Sequence, residues 1–324
     1  MEYTNLGSSG VRVSRIALGT GFRHQLDDAE IIKVVRHALD SGVNFFDCAN
    51  IYGPGDDRSR MGESEKLLGR ALGAMSDEVV ITSKVCGDIG TGVNDRGGSR
   101  YHILREIERS LGRLGTDHLD LYLMHLPDPE TPLEETVSTF DMLVKQGKIR
   151  YWGLSNYPAW EACQALSIAD SGGWVKPVVM QNPYSLLNRR LEQDFLDFIR
   201  RFRLGVMAFS PLAIGLLARD SSDNSRSRNI DLWDDYLEEQ FGDVLAAGMQ
   251  RLRSEVHGIA DARHVAPAAV AVSWVLSNDA VTVAIAGPDT PAQLDDYVNA
   301  VDLHLETDEL NRLTDASRAF VSLI

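Results

Sequence analysis

The stretch that decides the fold runs from VVITSKV (79–85) to LDLYLMH (119–125), two short apolar segments, the first of them rich in β-branched residues. Between them, Arg100–Leu114 has the apolar spacing of an amphipathic helix, and Gly115 follows where a left-handed helix end favours glycine. A strand, a helix and a second strand of these lengths are typical of a parallel pair, because parallel neighbours need a long crossover. This stretch therefore predicts one βαβ unit.

The same unit recurs along the chain. Further helix patterns, each followed by a glycine, occupy Asp28–Ser41, Glu63–Leu72 and Leu133–Gln146. The other strand candidates are RIALGT (15–20), NFFDCA (44–49), IRYWGLSN (149–156), PVVMQNPY (177–184), LGVMAFSPL (204–212) and VTVAIAG (281–287). Eight strands without a linker favour an α/β fold with one (β/α)8 TIM barrel, a single domain over residues 1–324, although strand count alone does not exclude a doubly wound sheet. We expect an N-terminal hairpin to close the barrel bottom.

Two segments interrupt the regular alternation. Residues 86–99 (CGDIGTGVNDRGGS) follow the third strand, and the polar segment within 214–243 follows the seventh. Their Gly, Asp, Asn and Ser content predicts long loops, which on this side of a barrel are usually functional.

Composition narrows the classes of function. The chain has 47 acidic and 32 basic residues, and its formal charge of -15 disfavours nucleic acid and anionic membranes as partners. Three cysteines without a C-x-x-C pair indicate neither a disulfide framework nor a metal site, so a reducing cytoplasm fits best. The N-terminus has no signal-peptide pattern and no apolar run reaches the roughly 20 residues of a membrane helix, so we expect a soluble protein.

Polar residues end three successive predicted strands. Asp47, Lys84 and His125 lie at the carboxyl ends of the second, third and fourth, and Tyr52 follows Asp47 in the loop that leaves the same rim. Taken singly, such a lysine is most often a solvated surface group, such an aspartate a turn or cap residue, and His125 a core histidine. Together they form a proton-donor site at the rim where barrels carry catalytic residues.

Each of the four has a distinct chemical task. A tyrosine is a poor acid near neutral pH, and we expect the ammonium of Lys84 to lower the pKa of Tyr52. Asp47 balances the buried charge of Lys84, and His125 donates an imidazole N–H to the carbonyl oxygen that gains negative charge. A Schiff-base lyase that uses Lys84 as its nucleophile is a competing hypothesis.

The segments FFDCANIYG, ITSKV, DLYLMHLPD, YWGLSNY, QNPYSLLNR and FSPLAIGLL resemble, in order and spacing, the signature segments of aldo-keto reductases. The resemblance implies a catalytic tetrad of Asp47, Tyr52, Lys84 and His125. It also implies that the nicotinamide is held by Ser155, Asn156 and Gln181 at its carboxamide, by the ring of Tyr184, and by Gly19, Thr20 and Gly21 from the first strand. Such an enzyme is an NAD(P)-dependent oxidoreductase acting on CH–OH groups.

The resemblance further implies where the rest of the dinucleotide binds. The pyrophosphate and adenosine contacts fall on Ser210, Leu212, Gly215, Leu216, Gly287, Thr290 and Gln293. No Gly-x-Gly-x-x-Gly fingerprint suggests a Rossmann site. The loop 214–243 resembles the cofactor-covering loop of the branch that includes potassium-channel β subunits.

The cofactor preference departs from the family pattern. Asp220 and Asp289 stand where NADPH-using relatives place basic residues, and an acidic group near the ribose favours the 2′-hydroxyl of NAD. Tyr297 also stands where many relatives have Asn. Arg219, Arg226 and Arg228 can compensate for the acidic residues, so the sequence leaves NADPH as the family default and NAD(H) as a serious contender.

The substrate is predicted only as a small aldehyde, ketone, sugar or alcohol. Phe22, Arg23, Tyr157 and Trp233 lie on rim loops as pocket candidates beside Tyr52 and His125, and Arg23 favours a polar or anionic compound. A nicotinamide-binding redox-sensing or channel-associated subunit with little turnover is the alternative function. The sequence leaves a homo-oligomer open.

Overall fold

A computed structural model describes residues 1–218 and 247–321. Its core is a closed barrel in which eight parallel strands follow one another around the ring in chain order, and the last pairs with the first. The predicted TIM barrel is therefore confirmed. The barrel strands are β3 (Ile16–Gly19), β4 (Phe45–Asp47), β5 (Val80–Val85), β6 (Leu119–Met124), β7 (Ile149–Ser155), β8 (Val179–Pro183), β9 (Gly205–Phe209) and β10 (Val283–Ala286).

Two shorter strands form the predicted N-terminal hairpin. Strand β1 (Tyr3–Asn5) pairs antiparallel with β2 (Arg12–Ser14), and Leu6 and Val13 join the apolar cluster inside the barrel. Gly7, between the strands, has a φ of +58°, and a Cβ there would lie 2.2 Å from the Val178 carbonyl oxygen. Only glycine allows this close approach, which seals the amino-terminal end of the barrel.

Helices surround the barrel. They are α1 (Asp28–Asp40), α2 (Glu63–Leu72), α3 (Arg100–Leu114), α4 (Leu133–Lys145), α5 (Ala159–Gly172), α6 (Leu191–Asp194), α7 (Leu196–Phe202), α8 (247–263), α9 (Pro267–Leu276), α10 (Pro291–Asp302), α11 (Thr307–Ala316) and α12 (Arg318–Val321). Within the described ranges, none of them is long and apolar enough to cross a membrane.

Two apolar layers hold the architecture together. Inside the barrel, alternate strand residues such as Phe45, Leu121, Leu123 and Met207 fill the interior. A larger cluster lies between the strands and the helices. Alternation along each strand thus buries both faces, as a barrel covered by helices requires.

The predicted loop 86–99 contains neither helix nor strand and follows β5 on the carboxyl side of the barrel. The second predicted loop, 214–243, is described only as far as residue 218, where it consists of turns.

Candidate active site

A buried ion pair lies at the carboxyl ends of β4 and β5. The Nζ of Lys84 donates to Asp47 Oδ2 at 2.8 Å and to the carbonyl oxygen of Cys48 at 2.7 Å, and the lysine side chain is fully buried. Burial lowers the pKa of Lys84, but the combined effects of Asp47, Tyr52 and Cys48 outweigh it, and the pKa is raised. Lys84 therefore stays an ammonium, as a buried lysine does only beside an anion.

Tyr52 places its hydroxyl beside this ion pair. Its oxygen lies 3.3 Å from Lys84 Nζ, which is also 4.7 Å from the centre of the tyrosine ring. The backbone holds Tyr52 in place, because its N–H donates to Ala49 and its carbonyl oxygen accepts from Gly62 and Ser64. Three of the four residues predicted as the catalytic tetrad, Asp47, Tyr52 and Lys84, therefore lie together here.

The pKa of Tyr52 differs from the sequence expectation. Burial raises it, and the charge of Lys84, which lowers it, does not fully compensate. The expectation of a lowered pKa was wrong for the protein without ligands, because it counted the ammonium and left out the loss of water around the hydroxyl. Tyr52 is therefore held firmly in the protonated form, the form that can donate.

His125 completes the group from the next strand. Its ring meets Tyr52 edge-on with ring centres 5.7 Å apart. Burial, together with the nearby Lys84, lowers the pKa of His125 to about 3, so the imidazole is neutral near neutral pH. Its backbone is tied to β5 through Val85 and to β7 through Asn156, whose Nδ2 donates to the His125 carbonyl oxygen at 2.9 Å.

Gln181 extends the network toward β8. Its Nε2 donates to Asp47 Oδ1 at 2.8 Å, while Lys84 occupies the other oxygen. The carboxylate of Asp47 thus links Lys84, a predicted catalytic residue, to Gln181, a predicted cofactor contact.

A cavity of about 600 Å³ opens over these residues on the carboxyl side of the barrel. Many of the sequence-predicted site residues line it: Gly19, Gly21, Phe22, Arg23, Asp47, Tyr52, His125, Ser155, Asn156, Gln181, Ser210, Leu212, Gly215 and Gly287. Lys84 lies beneath the floor and reaches the cavity through Tyr52. The volume of this cavity is within the range of small-molecule sites.

Two predicted aromatic contacts lie elsewhere. Tyr184 is buried against Trp274, its hydroxyl donates to Glu192 Oε1 at 2.7 Å and accepts from Asn278. Tyr157 is buried and lines a separate crevice of about 550 Å³ between the ends of β7 and β8 and helix α6. Neither ring lines the main cavity, because each belongs to the packing beneath its loop. The structure thus places both residues outside the cavity that holds most of the other predicted nicotinamide and substrate contacts.

Four other predicted cofactor residues do not line the cavity. The hydroxyl of Thr20 donates to the Asp47 carbonyl oxygen, and Leu216 is buried in the core. Thr290 caps α10 by accepting from the Gln293 N–H, while the Gln293 side chain accepts from Asp289. Thr290, Gln293 and Asp289 are thus joined by hydrogen bonds at the start of α10.

Sequence reasoning missed several residues that line the cavity. The most informative is Phe209, the last residue of β9, which faces the cavity beside Ser210. Its position at a strand end on the catalytic rim was the available signal. Others are Ile51, Asp56, Asp57, Arg58 and Met61 from the loop after β4, Pro211, Ile214 and Ile285.

Tyr297 also lines the cavity, next to Gly287. Burial raises the pKa of Tyr297, which remains a neutral phenol. Asp289 lies close by, and burial raises the pKa of its carboxyl against the opposing influence of His24. Asp220, Arg219, Arg226 and Arg228, which were also predicted to act here, lie outside the described residues, as does the substrate-pocket candidate Trp233.

Within the described part of the chain, no cluster of three or more His, Cys, Asp or Glu side chains is arranged to hold a metal ion. Cys48 and Cys86 are buried thiols, and burial raises the pKa of Cys48 to about 12.

Comparison with known proteins identifies relatives over nearly the whole chain. Residues 15–318 match the model of the family described as "Aldo/keto reductase family". The uncharacterized oxidoreductase YrpG of Bacillus subtilis is 37% identical, with 97% of this chain and 95% of that protein covered. Proteins named "probable voltage-gated potassium channel subunit beta" are 33% identical in Arabidopsis thaliana and 34% in Oryza sativa subsp. japonica, each covering 94% of this chain and 92% of the relative.

Proposed function

Because the chain belongs to the aldo/keto reductase family, whose members are oxidoreductases that generally use NADPH or NADH, we propose that it transfers hydride between a nicotinamide cofactor and a carbonyl or alcohol substrate. The single observation that carries this proposal is the hydroxyl of Tyr52. It lies 3.3 Å from the buried ammonium of Lys84 and shares one cavity with His125.

The side chains divide the proton chemistry among them. In the reductive direction Tyr52 donates its proton to the carbonyl oxygen, and Lys84 stabilises the phenolate that remains. Asp47 keeps Lys84 charged, and neutral His125 donates an N–H to the same oxygen as negative charge develops there. When bound, the nicotinamide supplies or accepts the hydride. The oxidative direction uses the same groups with Tyr52 as the base.

The ends of β7 and β8 suit a nicotinamide. Ser155, Asn156 and Gln181 bring hydroxyl and amide groups to one end of the cavity, and an amide pairs well with a carboxamide. We assign the aromatic contact with the flat ring to Phe209, which faces the cavity. Gly19 and Gly21 line the same space from the end of β3.

The loops after β9 and β10 suit the pyrophosphate and adenosine. Ser210, Leu212 and Gly215 follow β9, with φ values of +52° at Ser210 and +89° at Gly215, and Gly287 follows β10. Such turns expose backbone N–H groups that bind anions, and barrels commonly hold phosphate here. We place Thr290 and Gln293 as supports of this wall.

The nucleotide itself is either NADPH or NADH. Asp289 beside Gly287 adds a carboxylate where the 2′-phosphate of NADPH would add negative charge, which favours NADH. NADPH remains the choice of the family's usual pattern, so the two are separated by measuring both.

We expect the substrate to be a small aldehyde, ketone, sugar or alcohol. Around the tetrad the cavity offers apolar groups of Phe22, Ile51 and Met61 and, at its mouth, the charged groups of Arg23 and Arg58. The free cysteines and the -15 charge fit action on a small molecule in a reducing cytoplasm.

Replacing Tyr52 by Phe tests the proposal. We expect kcat to fall by about 10³-fold while cofactor affinity changes little, because only the proton donor is lost. Turnover is followed by nicotinamide absorbance with a panel of aldehydes, ketones, sugars and alcohols and both cofactors, and cofactor affinity by fluorescence titration. Unchanged turnover in Tyr52→Phe would rule out the assigned role.

The names of the plant relatives favour one second candidate, a nicotinamide-binding subunit that regulates a partner such as a channel and turns over slowly. Wild-type protein that binds cofactor but reduces no compound of the panel would favour this candidate.

A further inference from the structure

Helix α3 carries a buried carboxylate that the proposed chemistry does not use. Glu106 is only 1% exposed, and its Oε2 accepts from Asn50 Nδ2 at 3.2 Å. Asn50 is also buried and lies in the short segment between Asp47 and Tyr52. The carboxylate of Glu106 therefore contacts the loop that carries Tyr52, the proposed proton donor, on the side away from the cavity.

The carboxylate is itself held in place from its own helix. Arg109 donates to Glu106 Oε1 at 2.9 Å, and the Nε of Arg105 lies 3.6 Å from the same oxygen. Arg105 also donates to Asp95 Oδ1 at 2.6 Å and so ties α3 to the loop 86–99. Two guanidinium groups thus neutralise and orient the carboxylate, as a buried charge requires.

Asn50 is fixed on two sides. Its side chain bonds to Glu106, and its backbone N–H donates to the Lys84 carbonyl oxygen at 3.3 Å. Tyr52 follows two residues later and reaches the Nζ of the same lysine with its hydroxyl. The position of Asn50 therefore sets the start of the path from β5 to the hydroxyl of Tyr52.

We propose that Glu106 is a positioning residue that acts through Asn50 to hold the Tyr52 hydroxyl beside Lys84 and the reacting oxygen. This inference rests on the proposed role of Tyr52. The role predicts an effect on kcat rather than on cofactor binding, because Ser155, Gln181 and Phe209 belong to other strands. A displacement of about 1 Å at a reacting group can cost on the order of 100-fold in rate.

The first test is Asn50→Asp, which removes the donor and sets a second carboxylate against Glu106. We expect kcat per folded molecule to fall by about 10- to 100-fold, with cofactor affinity within about threefold of wild type. Because two adjacent buried carboxylates share a proton more readily at low pH, the kcat of this variant should recover toward wild type as the pH falls from about 8 to 5. Asn50→Ala, which adds no charge, should show the loss without the recovery.

The second test exchanges donor and acceptor. Combining Asn50→Asp with Glu106→Gln reverses the hydrogen bond and keeps the total charge, so kcat should return to within about threefold of wild type. Two outcomes would overturn the proposal. One is an unchanged kcat of folded Asn50→Asp and Asn50→Ala; the other is a double variant no faster than Asn50→Asp.

Two matched variants separate positioning from general stability. Glu108→Gln makes the same chemical change on α3, at an exposed residue paired with Lys148. Asp141→Asn removes a buried carboxylate on α4, away from the tetrad. Both should keep wild-type kcat even where the melting temperature falls. Tyr52→Phe is run beside them: full turnover there would remove the proposed function itself, whereas an inactive Tyr52→Phe with fully active Asn50 variants would remove only the positioning role.

Discussion

The loops after β4, β5 and β6 and the loops after β7 to β10 form two halves of one rim, and they differ in how their polar groups are used. In the first half Asp47, Lys84 and Tyr52 contact one another without any ligand. In the second half the cavity is lined by polar residues such as Ser155 and Asn156, by glycines such as Gly287, and by apolar side chains, among them Phe209 and Leu212. The first half is the proposed proton site, and the second is the proposed cofactor site.

The two halves differ in how buried polar and charged groups are compensated. A buried ammonium needs its partner permanently, so the proton site is complete within the chain and is organised before substrate arrives. A cofactor site leaves donors and an aromatic face for a ligand to meet. Disturbing the first half should therefore change stability and rate together, whereas disturbing the second should change mainly affinity.

The largest effect is expected from breaking the Lys84–Asp47 ion pair in the proposed proton site. Lys84→Met leaves Asp47 buried without its counterion, and we expect a loss of about 3–5 kcal/mol in the free energy of unfolding, measured by urea denaturation. kcat should fall by at least about 100-fold. Adding Asp47→Asn should restore much of the stability but none of the activity. Lys148→Met, at a more exposed pair, should cost no more than about 1 kcal/mol.

The second test concerns His125 and pH. The pKa of His125 is about 3 in the folded protein against 6.5 ordinarily, so below pH 6.5 the unfolded chain binds a proton that the folded chain does not. Its contribution is therefore fully present above pH 6.5 and declines by up to about 1.4 kcal/mol per pH unit as the pH falls toward 3. His125→Asn should lose this part of the slope between pH 6.5 and 4.5. Equal slopes for both proteins would contradict the low pKa.

A third test sharpens the cofactor half. Asp289→Asn removes a carboxylate near the expected ribose, and we expect the affinity for NADPH relative to NADH to rise by about tenfold, equal to about 1.4 kcal/mol. Asp295→Asn, on α10 but paired with His37, is the matched control and should leave the ratio unchanged. If Asp289→Asn leaves the ratio unchanged as well, Asp289 does not select the nucleotide.

The smallest effect separates two aromatic residues. Phe209→Ala should weaken cofactor binding by about 3- to 10-fold, the value of an aromatic contact of about 0.5–1.5 kcal/mol. Tyr184→Leu removes the aromatic ring that stacks on Trp274 and the hydroxyl bonded to Glu192 and Asn278, so it should lower stability but leave the cofactor affinity of the folded protein unchanged. Fluorescence titration measures the cofactor affinity of both variants. A larger loss of affinity in the Tyr184 variant than in Phe209→Ala would assign the nicotinamide contact to Tyr184.

The sequence predicted the barrel because its signals are local and repeated. Strand, helix and closing glycine recur with little variation, and a parallel arrangement follows from the crossovers. The convergence of Asp47, Lys84 and His125 followed from the same rule, because the carboxyl ends of neighbouring strands meet at one rim.

Other features depend on contacts that no local pattern reveals. Tyr184 and Phe209 both stand at strand ends, but only the packing of α9 shows that Tyr184 stacks on Trp274. Tyr157 likewise turns beneath its loop. The pKa of Tyr52 required the balance between burial and Lys84, and burial of a loop residue follows from the whole fold. The bond between Asn50 and Glu106 joins residues 56 apart in sequence, without a motif.

Asp47 has one further consequence, for anyone who would rebuild this barrel. Both of its carboxylate oxygens are occupied, one by Lys84 from β5 and the other by Gln181 from β8. A carboxylate only accepts, so the Gln181 amide must turn its nitrogen inward and leave its oxygen free for another donor. The two halves of the rim are therefore not interchangeable modules: strands grafted from a relative must bring an amide to position 181, or the graft will leave the lysine's counterion half-satisfied.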